Sequence, residues 1–143
     1  MEAYSELIDI RINKVIKKAY GILNISSNKN PFEIAKKLGI TISFCDFNDD
    51  LKGFLADGII YINNKLDLYS QKIVCSHEIG HFVLHRYEND AELFDPDSKE
   101  LMEFEANIFV FMLMPQVFSR FELSEYNNIY EFNQYIGKQI RYA

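Results

Sequence analysis

The sequence predicts an α+β fold, in which a small antiparallel sheet of about three strands packs with helices from both ends and the middle of the chain. Apolar residues recur at helical spacing over residues 5–24 and again over 68–85. Two short β-rich runs, 53–56 and 59–62, flank the dipeptide Asp57-Gly58, which is a strong hairpin signal. No internal repeat or low-complexity segment interrupts the 143 residues. We therefore expect one domain over 1–143.

The first two helices and the first strand are marked by local signals. Residues 5–24 carry lysines between their apolar positions, which is typical of a helix with one buried face. A second, short helix has Asn30 as its predicted N-cap, Pro31 as its first residue and Gly39 after its end. Glu33 follows Asn30 at capping-box spacing. Residues 40–44 alternate and are β-rich, so they predict a strand before the hairpin.

The second half of the chain is predicted to be mainly helical. One helix begins near its N-cap Asp67 and ends near residue 86, and an acidic loop is predicted over 87–98. Asp97 and Glu100 have capping-box spacing and predict a further helix through residue 114, which Pro115 ends. The aromatic tail from residue 116 predicts one or two short helices.

Composition and charge disfavour several classes of protein. No apolar run approaches the roughly 18 residues of a membrane-spanning helix, and the N-terminus does not resemble a secretory signal. Cys45 and Cys75 are therefore predicted to be reduced thiols of a cytoplasmic protein that does not bind membranes. The net charge of −6 argues against direct binding to nucleic acid. Residues 11–40 are basic and 88–105 acidic; both are interpreted as solvated surfaces, or the basic one as a docking face.

The segment His77-Glu78-Ile79-Gly80-His81 carries the strongest chemical signal. Residues four apart in a helix share a face, so His77 and His81 can bind one metal ion. Glu78 lies one step round the helix, where it can reach a water on that metal without binding the metal itself. Cys75 faces away from His77 and is predicted to lie in the core.

A catalytic zinc site needs a third protein ligand and an open position for water. The metzincin pattern would require glycine and histidine where this chain has Leu84 and Tyr87, so that class is excluded. A later helix offers Glu103 or Glu105, which point in different directions; we favour Glu103 and keep Glu105 as the alternative. Asn107 lies one turn after Glu103, where it can hold the outer ring nitrogen of a histidine. Two histidines and a carboxylate favour Zn²⁺.

Five segments of the chain follow one another in an order and at a spacing that are typical of a known protein family. They are Pro31-Phe32-Glu33-Ile34-Ala35-Lys36-Lys37-Leu38-Gly39-Ile40, the strand from Gly58 to Asn63, His77-Glu78-Ile79-Gly80-His81-Phe82-Val83-Leu84-His85, Glu103-Phe104-Glu105-Ala106-Asn107-Ile108-Phe109 and Leu113-Met114-Pro115. With these segments, residues 30–115 resemble the ImmA/IrrE family of zinc metallopeptidases. One departure is the bulky run 108–111, where the family usually has alanine-rich sequence.

The resemblance implies a compact zincin-like α+β fold and a gluzincin-like site. In that site His77, His81 and Glu103 or Glu105 would bind Zn²⁺, and Glu78 would be catalytic. It also implies a cytoplasmic protease, often encoded by a phage or mobile element. Its substrate would be a helix-turn-helix repressor, whose cleavage relieves repression of the element or of a stress response.

Other roles follow from the residues themselves. His85 is predicted to pack beside the metal ligands and not to catalyse. The substrate is expected to lie extended along an edge strand of the hairpin.

A second hypothesis for the function is a non-proteolytic antirepressor that sequesters the repressor, with structural zinc. A third, a regulator that touches DNA, is disfavoured by the net charge. The sequence leaves the oligomeric state open.

Overall fold

The computed structural model describes residues 2–25, 29–47, 50–85, 96–118 and 129–143. In chain order these residues form helix α1 (Glu2–Ile25), helix α2 (Pro31–Lys37), strands β1 (Thr41–Cys45), β2 (Gly53–Ala56) and β3 (Ile59–Asn63), helix α3 (Leu68–His85), helix α4 (Pro96–Leu113), a 3-10 turn (Pro115–Phe118) and helix α5 (Ile129–Lys138). The predicted α+β class is confirmed. None of the helices in these ranges combines the length and apolar character needed to cross a membrane.

The sheet is mixed, so the prediction of an antiparallel sheet is wrong in one pairing. The hairpin is as predicted: β2 and β3 are antiparallel, and positive φ angles at Asp57 (53°) and Gly58 (74°) are typical of a type I′ turn. However, β1 pairs with β3 in parallel, and the strand order is β1-β3-β2. The most buried strand takes the central position, since Ile60 and Ile62 of β3 are fully buried. Strand β3 therefore lies between β1 and β2, and it pairs in parallel with β1 and antiparallel with β2.

Local signals set both ends of α2. Asn30 caps α2 as predicted, because its Oδ1 accepts the Phe32 N–H at 3.0 Å, and Gly39 follows the helix with a φ of 78°. The start of α4 differs from the prediction: the helix is already formed at Pro96, so Asp97 is not its N-cap. Proline suits the first turn, where a backbone N–H has no helical partner. Of the acidic loop predicted over 87–98, residues 87–95 lie outside the described residues, and residues 96–98 belong to α4 instead.

The core brings α3 and α4 together at short range. Fully buried side chains come from every layer: Val15, Ala19, Ile34, Ile60, Ile62, Ile73, Ile79, Phe109 and Phe132. Gly80 of α3 makes the close approach possible, because a Cβ there would lie 2.9 Å from Phe109 Cβ and 3.1 Å from Ala106 Cα. The C-terminal residues fold back on the start of α3, where Asp67 N–H donates to Arg141 O at 2.9 Å and Ala143 N–H donates to Lys65 O at 2.8 Å.

Candidate metal centre

Helix α3 presents His77 and His81 on one face because they are one turn apart. Its first turn is fixed by Asp67, as predicted: the carboxylate Oδ1 accepts the Ser70 N–H at 2.7 Å. Hydrogen bonds from Ser70 lower the pKa of Asp67, so the cap is a carboxylate at neutral pH. A carboxylate at this end also interacts favourably with the helix dipole.

Three side chains from α3 and α4 converge on one point. His77 Nε2 and His81 Nε2 are 3.0 Å apart. Glu103 Oε2 lies 3.0 Å from His77 Nε2, and Glu103 Oε1 lies 2.9 Å from His81 Nε2. The two imidazoles are mostly buried and the carboxylate is more exposed. Glu103, and not Glu105, therefore joins the two histidines in a group that could hold a metal ion.

Glu78 lies beside this group and is largely buried. It borders the same clefts as His77, His81 and Glu103, but it is not one of the three converging residues. Burial raises the pKa of its carboxyl group; His77 opposes the rise and Glu103 adds to it. A carboxyl group with a raised pKa next to a metal is suited to accept and release a proton near neutral pH.

The outer nitrogen of His77 begins a hydrogen-bonded chain of amides. His77 Nδ1 lies 2.7 Å from Asn107 Oδ1, and Asn107 Nδ2 donates to Asn133 Oδ1 at 2.7 Å. Asn133 Nδ2 in turn donates to Glu100 Oε1 at 2.8 Å and to Glu100 O at 3.3 Å. Asn107 thus has the predicted contact with a histidine, and α5 contributes Asn133 to the surroundings of the site.

The outer nitrogen of His81 begins a second chain, which ends at α1. His81 Nδ1 lies 2.8 Å from His85 Nδ1, and His85 Nε2 lies 3.4 Å from Glu105 Oε1. Glu105 also accepts from Arg11 Nη1. The buried Glu105 carboxylate is therefore engaged by His85 and Arg11. His85 contacts His81 from outside the converging group, where the sequence predicted it.

Protonation in the group follows its burial and its charges. Burial, together with the neighbouring His77 and His85, lowers the pKa of His81 to about 4 against the opposing effect of Glu103. Burial also acts to lower the pKa of His77, but Glu103, Glu78 and Asn107 together outweigh it and the net pKa is raised. Against the effect of burial, hydrogen bonds from both histidines lower the pKa of Glu103. Glu103 is thus ionised and His81 neutral at pH 7, which are the forms that bind metal.

The donor set fits a small divalent cation. A tetrahedral zinc ion with ligands at roughly 2.0–2.1 Å would hold them roughly 3.3–3.4 Å apart, close to the separations here. Both Nδ1 atoms already have partners, which leaves the two Nε2 atoms facing Glu103. Two imidazoles and one carboxylate are the ligand types of catalytic zinc sites.

A comparison with models of protein families shows to which family this chain belongs. The model of the M78 peptidase family, described as an IrrE N-terminal-like domain, matches residues 35–137. The chain belongs to the M78 peptidase family. It is also 30% identical over 131 residues to an uncharacterized immunity region protein 2 of Bacillus phage phi105, an alignment that covers 84% of this chain and 77% of that protein. No solved structure gives a significant match.

Two recesses border the converging residues of this M78 peptidase. One, of about 470 Å³, lies between α3 and α5; its walls include Ile73, Val74, Ile136 and Gly137. The other, of about 410 Å³, reaches from His81 towards Leu55 of β2 and Met102. Glu78, Glu103 and Lys99 border both. Because β2 is an edge strand of the described sheet, the cleft runs beside a strand whose outer side is unpaired there.

Sequence reasoning missed two residues around this site. Arg11 appeared only as one cation among many in an amphipathic helix, and no local pattern links it to Glu105. Asn133 did carry a signal, because a mid-helix asparagine is unfavourable unless its amide has a partner. Cys75 is fully buried, as predicted, and both cysteines are free thiols.

Proposed function

We propose that this M78 peptidase is a zinc-dependent endopeptidase that cleaves a helix-turn-helix repressor. The observation that carries the proposal is the convergence of His77, His81 and Glu103 beside the buried Glu78 in an open cleft. The relative from phage phi105 is an immunity region protein, and the ImmA/IrrE resemblance implies a repressor as the target. Both considerations support a repressor substrate here.

His77, His81 and Glu103 would hold the metal. Zinc bound there would supply Lewis acidity, which would lower the pKa of a bound water and polarise the scissile carbonyl group. Glu78 accepts the proton of the attacking water and then donates it to the leaving amine. The raised pKa of Glu78 suits both steps, because the carboxyl group must hold the proton briefly before it passes it on. His85 and Asn107 keep the two imidazoles in orientation from outside.

The cleft favours a substrate in extended conformation. Edge strand β2 begins at Gly53 and includes Leu55, which border the two recesses on either side of the candidate ligands. A peptide that added to this edge would gain main-chain hydrogen bonds whatever its sequence. Its apolar side chains would enter the recess between α3 and α5. A folded repressor would have to offer a loop or a locally opened segment to bind in this way.

The test combines the purified zinc-loaded protein with candidate helix-turn-helix repressors, including any that is encoded beside its gene, and detects fragments by mass spectrometry. Wild-type protein should give discrete fragments. Glu78→Gln should bind zinc normally and lower the cleavage rate by about 10²–10⁴-fold, as expected for loss of a general base. Glu33→Gln, a change of an exposed acid on α2, is the matched control and should cleave at the wild-type rate.

Two results would contradict the proposal. Cleavage by Glu78→Gln at the wild-type rate would exclude Glu78 as the proton carrier. Loss of repressor binding to DNA without any fragment, in both wild-type protein and Glu78→Gln, would instead support the non-proteolytic antirepressor.

A further inference from the structure

The amide chain behind His77 has a defined direction, which begins at Glu100. The backbone carbonyl oxygen of Glu100 can only accept a hydrogen bond, so Asn133 must turn its Nδ2 group towards Glu100, where it donates to both O and Oε1. Asn133 Oδ1 then faces Asn107 and accepts from Asn107 Nδ2. Asn107 is left with Oδ1 towards His77, where only an N–H can meet it. The proton of a neutral His77 is therefore held on Nδ1, and the lone pair of Nε2 faces His81 and Glu103.

From this direction we propose that Asn133 of α5, fixed by Glu100, is a positioning residue that keeps His77 Nε2 free for the metal. The inference rests on the metal centre of the proposed function and adds α5 to the parts that build it. Without Asn133, Asn107 could rotate its amide by half a turn and present Nδ2 to His77. His77 would then have to accept at Nδ1 and carry its proton on Nε2, where it blocks the metal.

The second chain offers an internal comparison. His81 is oriented through His85 and Glu105, which share no member with the chain through Asn107. A change at Asn133 should therefore alter His77 and leave His81 as it was. General loss of structure would alter both. The chain contains three histidines, so their ring signals can be assigned.

Two variants test the direction of the chain. Asn133→Leu removes all three hydrogen bonds of the Asn133 amide, to Asn107 and to Glu100, at similar side-chain volume. The double variant Glu100→Gln/Asn133→Asp exchanges the carboxylate and the amide: the new amide at position 100 donates, the new carboxylate at position 133 accepts from both neighbours, and Asn107 is held in its original orientation. A third variant, Glu100→Met, leaves the Asn133 Nδ2 group with the backbone carbonyl of residue 100 as its acceptor, without the side-chain oxygen, and serves if Asn133→Leu does not fold.

The measurements are the zinc dissociation constant, by competition with a chromophoric chelator, and the Nδ1–H signals of zinc-loaded, ¹⁵N-histidine-labelled protein. Asn133→Leu should weaken zinc binding by about 10–100-fold, which is usual when an outer hydrogen-bond partner is lost. The Nδ1–H of His77 should exchange faster with water while that of His81 is unchanged. The double variant Glu100→Gln/Asn133→Asp should recover most of the zinc affinity. The zinc affinity of Glu100→Met should lie between those of Asn133→Leu and the wild-type protein.

Three outcomes would count against the inference, and a fourth would affect only the proposed function. Unchanged affinity in folded Asn133→Leu or Glu100→Met would overturn it and leave the peptidase proposal intact. A double variant no better than Asn133→Leu would show that direction is irrelevant. Failure of the wild-type protein to bind zinc would overturn this inference together with the metal centre, whereas normal zinc binding without proteolysis would affect the peptidase proposal alone.

Discussion

Gly80 of α3 lies against Ala106 of α4 so closely that a methyl group at Gly80 would sit 3.1 Å from the Ala106 Cα. This contact sets the separation of the two helices that carry His77, His81 and Glu103. Because the ligand atoms are about 3 Å apart, a shift of α4 by a fraction of that distance would change the geometry that a metal ion meets.

Gly80→Ala should therefore weaken both the fold and the metal centre. The added methyl group meets Phe109 Cβ and the Ala106 backbone, neither of which can move alone, so we expect a loss of about 1–3 kcal/mol in the free energy of unfolding. Zinc affinity should fall as well. Gly21→Ala is the matched control, since nothing lies within 4 Å of a Cβ there; towards the C-terminal end of α1 it should not destabilise the fold and should stabilise it by at most about 0.5–1 kcal/mol. Equal stability in the two variants would contradict this packing.

A metal-binding assay should distinguish the roles of the two candidate glutamates, Glu103 and Glu105. Glu105→Gln changes a carboxylate that contacts Arg11 and His85, so zinc affinity should fall within the roughly 10–100-fold range of outer partners. Glu103→Gln removes an ionised oxygen from the converging group and should cost more than that range. Isothermal titration with zinc measures both. The reverse order of losses would make Glu105 the ligand.

The two thiols should react at very different rates. Cys75 is fully buried, and burial, reinforced by the charge of Glu78, raises the pKa of its thiol. Since the thiolate is the reactive form, Cys75 should react with a disulfide reagent only after unfolding. Cys45 is partly exposed and should react in the native protein. Cys45→Ser should abolish the fast phase; a fast phase that persists would show that Cys75 is accessible.

The N-cap of α3, Asp67, should make the stability of the fold depend on pH in the acid range. Hydrogen bonds from Ser70 depress the pKa of Asp67 in the folded state, so folding favours its ionised form. The contribution is complete above the unfolded value of about 3.9 and is lost as the pH falls through the lower folded pKa. Asp67→Ala should lower the melting temperature at pH 7, and by less at pH 2. A difference that does not depend on pH would mean that the charge is irrelevant. Asp67→Asn, which keeps an acceptor for the Ser70 N–H, is the control.

The sequence was informative where the relevant partners lie within a few residues of one another. His77, Glu78 and His81 share one helix turn, and the caps at Asn30 and Asp67 act across two or three residues, so spacing alone predicted them. The choice between Glu103 and Glu105 could not be made in this way. It depends on Arg11, which is 94 residues from Glu105 in the chain.

For the same reason, the order of the strands in the sheet could not be predicted from local sequence. The Asp57-Gly58 turn specifies that β2 and β3 are neighbours, and it was predicted correctly. Nothing in residues 41–45 states which partner β1 will choose. That choice depends on Ile60 and Ile62, whose burial makes β3 the central strand. Asn133 illustrates the same limit from the other end of the chain, because its partners are 26 and 33 residues away.

The C-terminal residues return to the start of α3, and this contact would link zinc binding to the docking of the C-terminal segment. Arg141 N–H donates to Ser70 Oγ at 2.6 Å, while Asn133 of the same segment holds Asn107 behind His77. If zinc favours the docked segment, then a docked segment must favour zinc by the same factor. Zinc should therefore slow amide hydrogen exchange in α5, and equal exchange with and without zinc would contradict this coupling. A partner that draws this segment away would release the metal, which would give the cell a means to switch the site off without touching it.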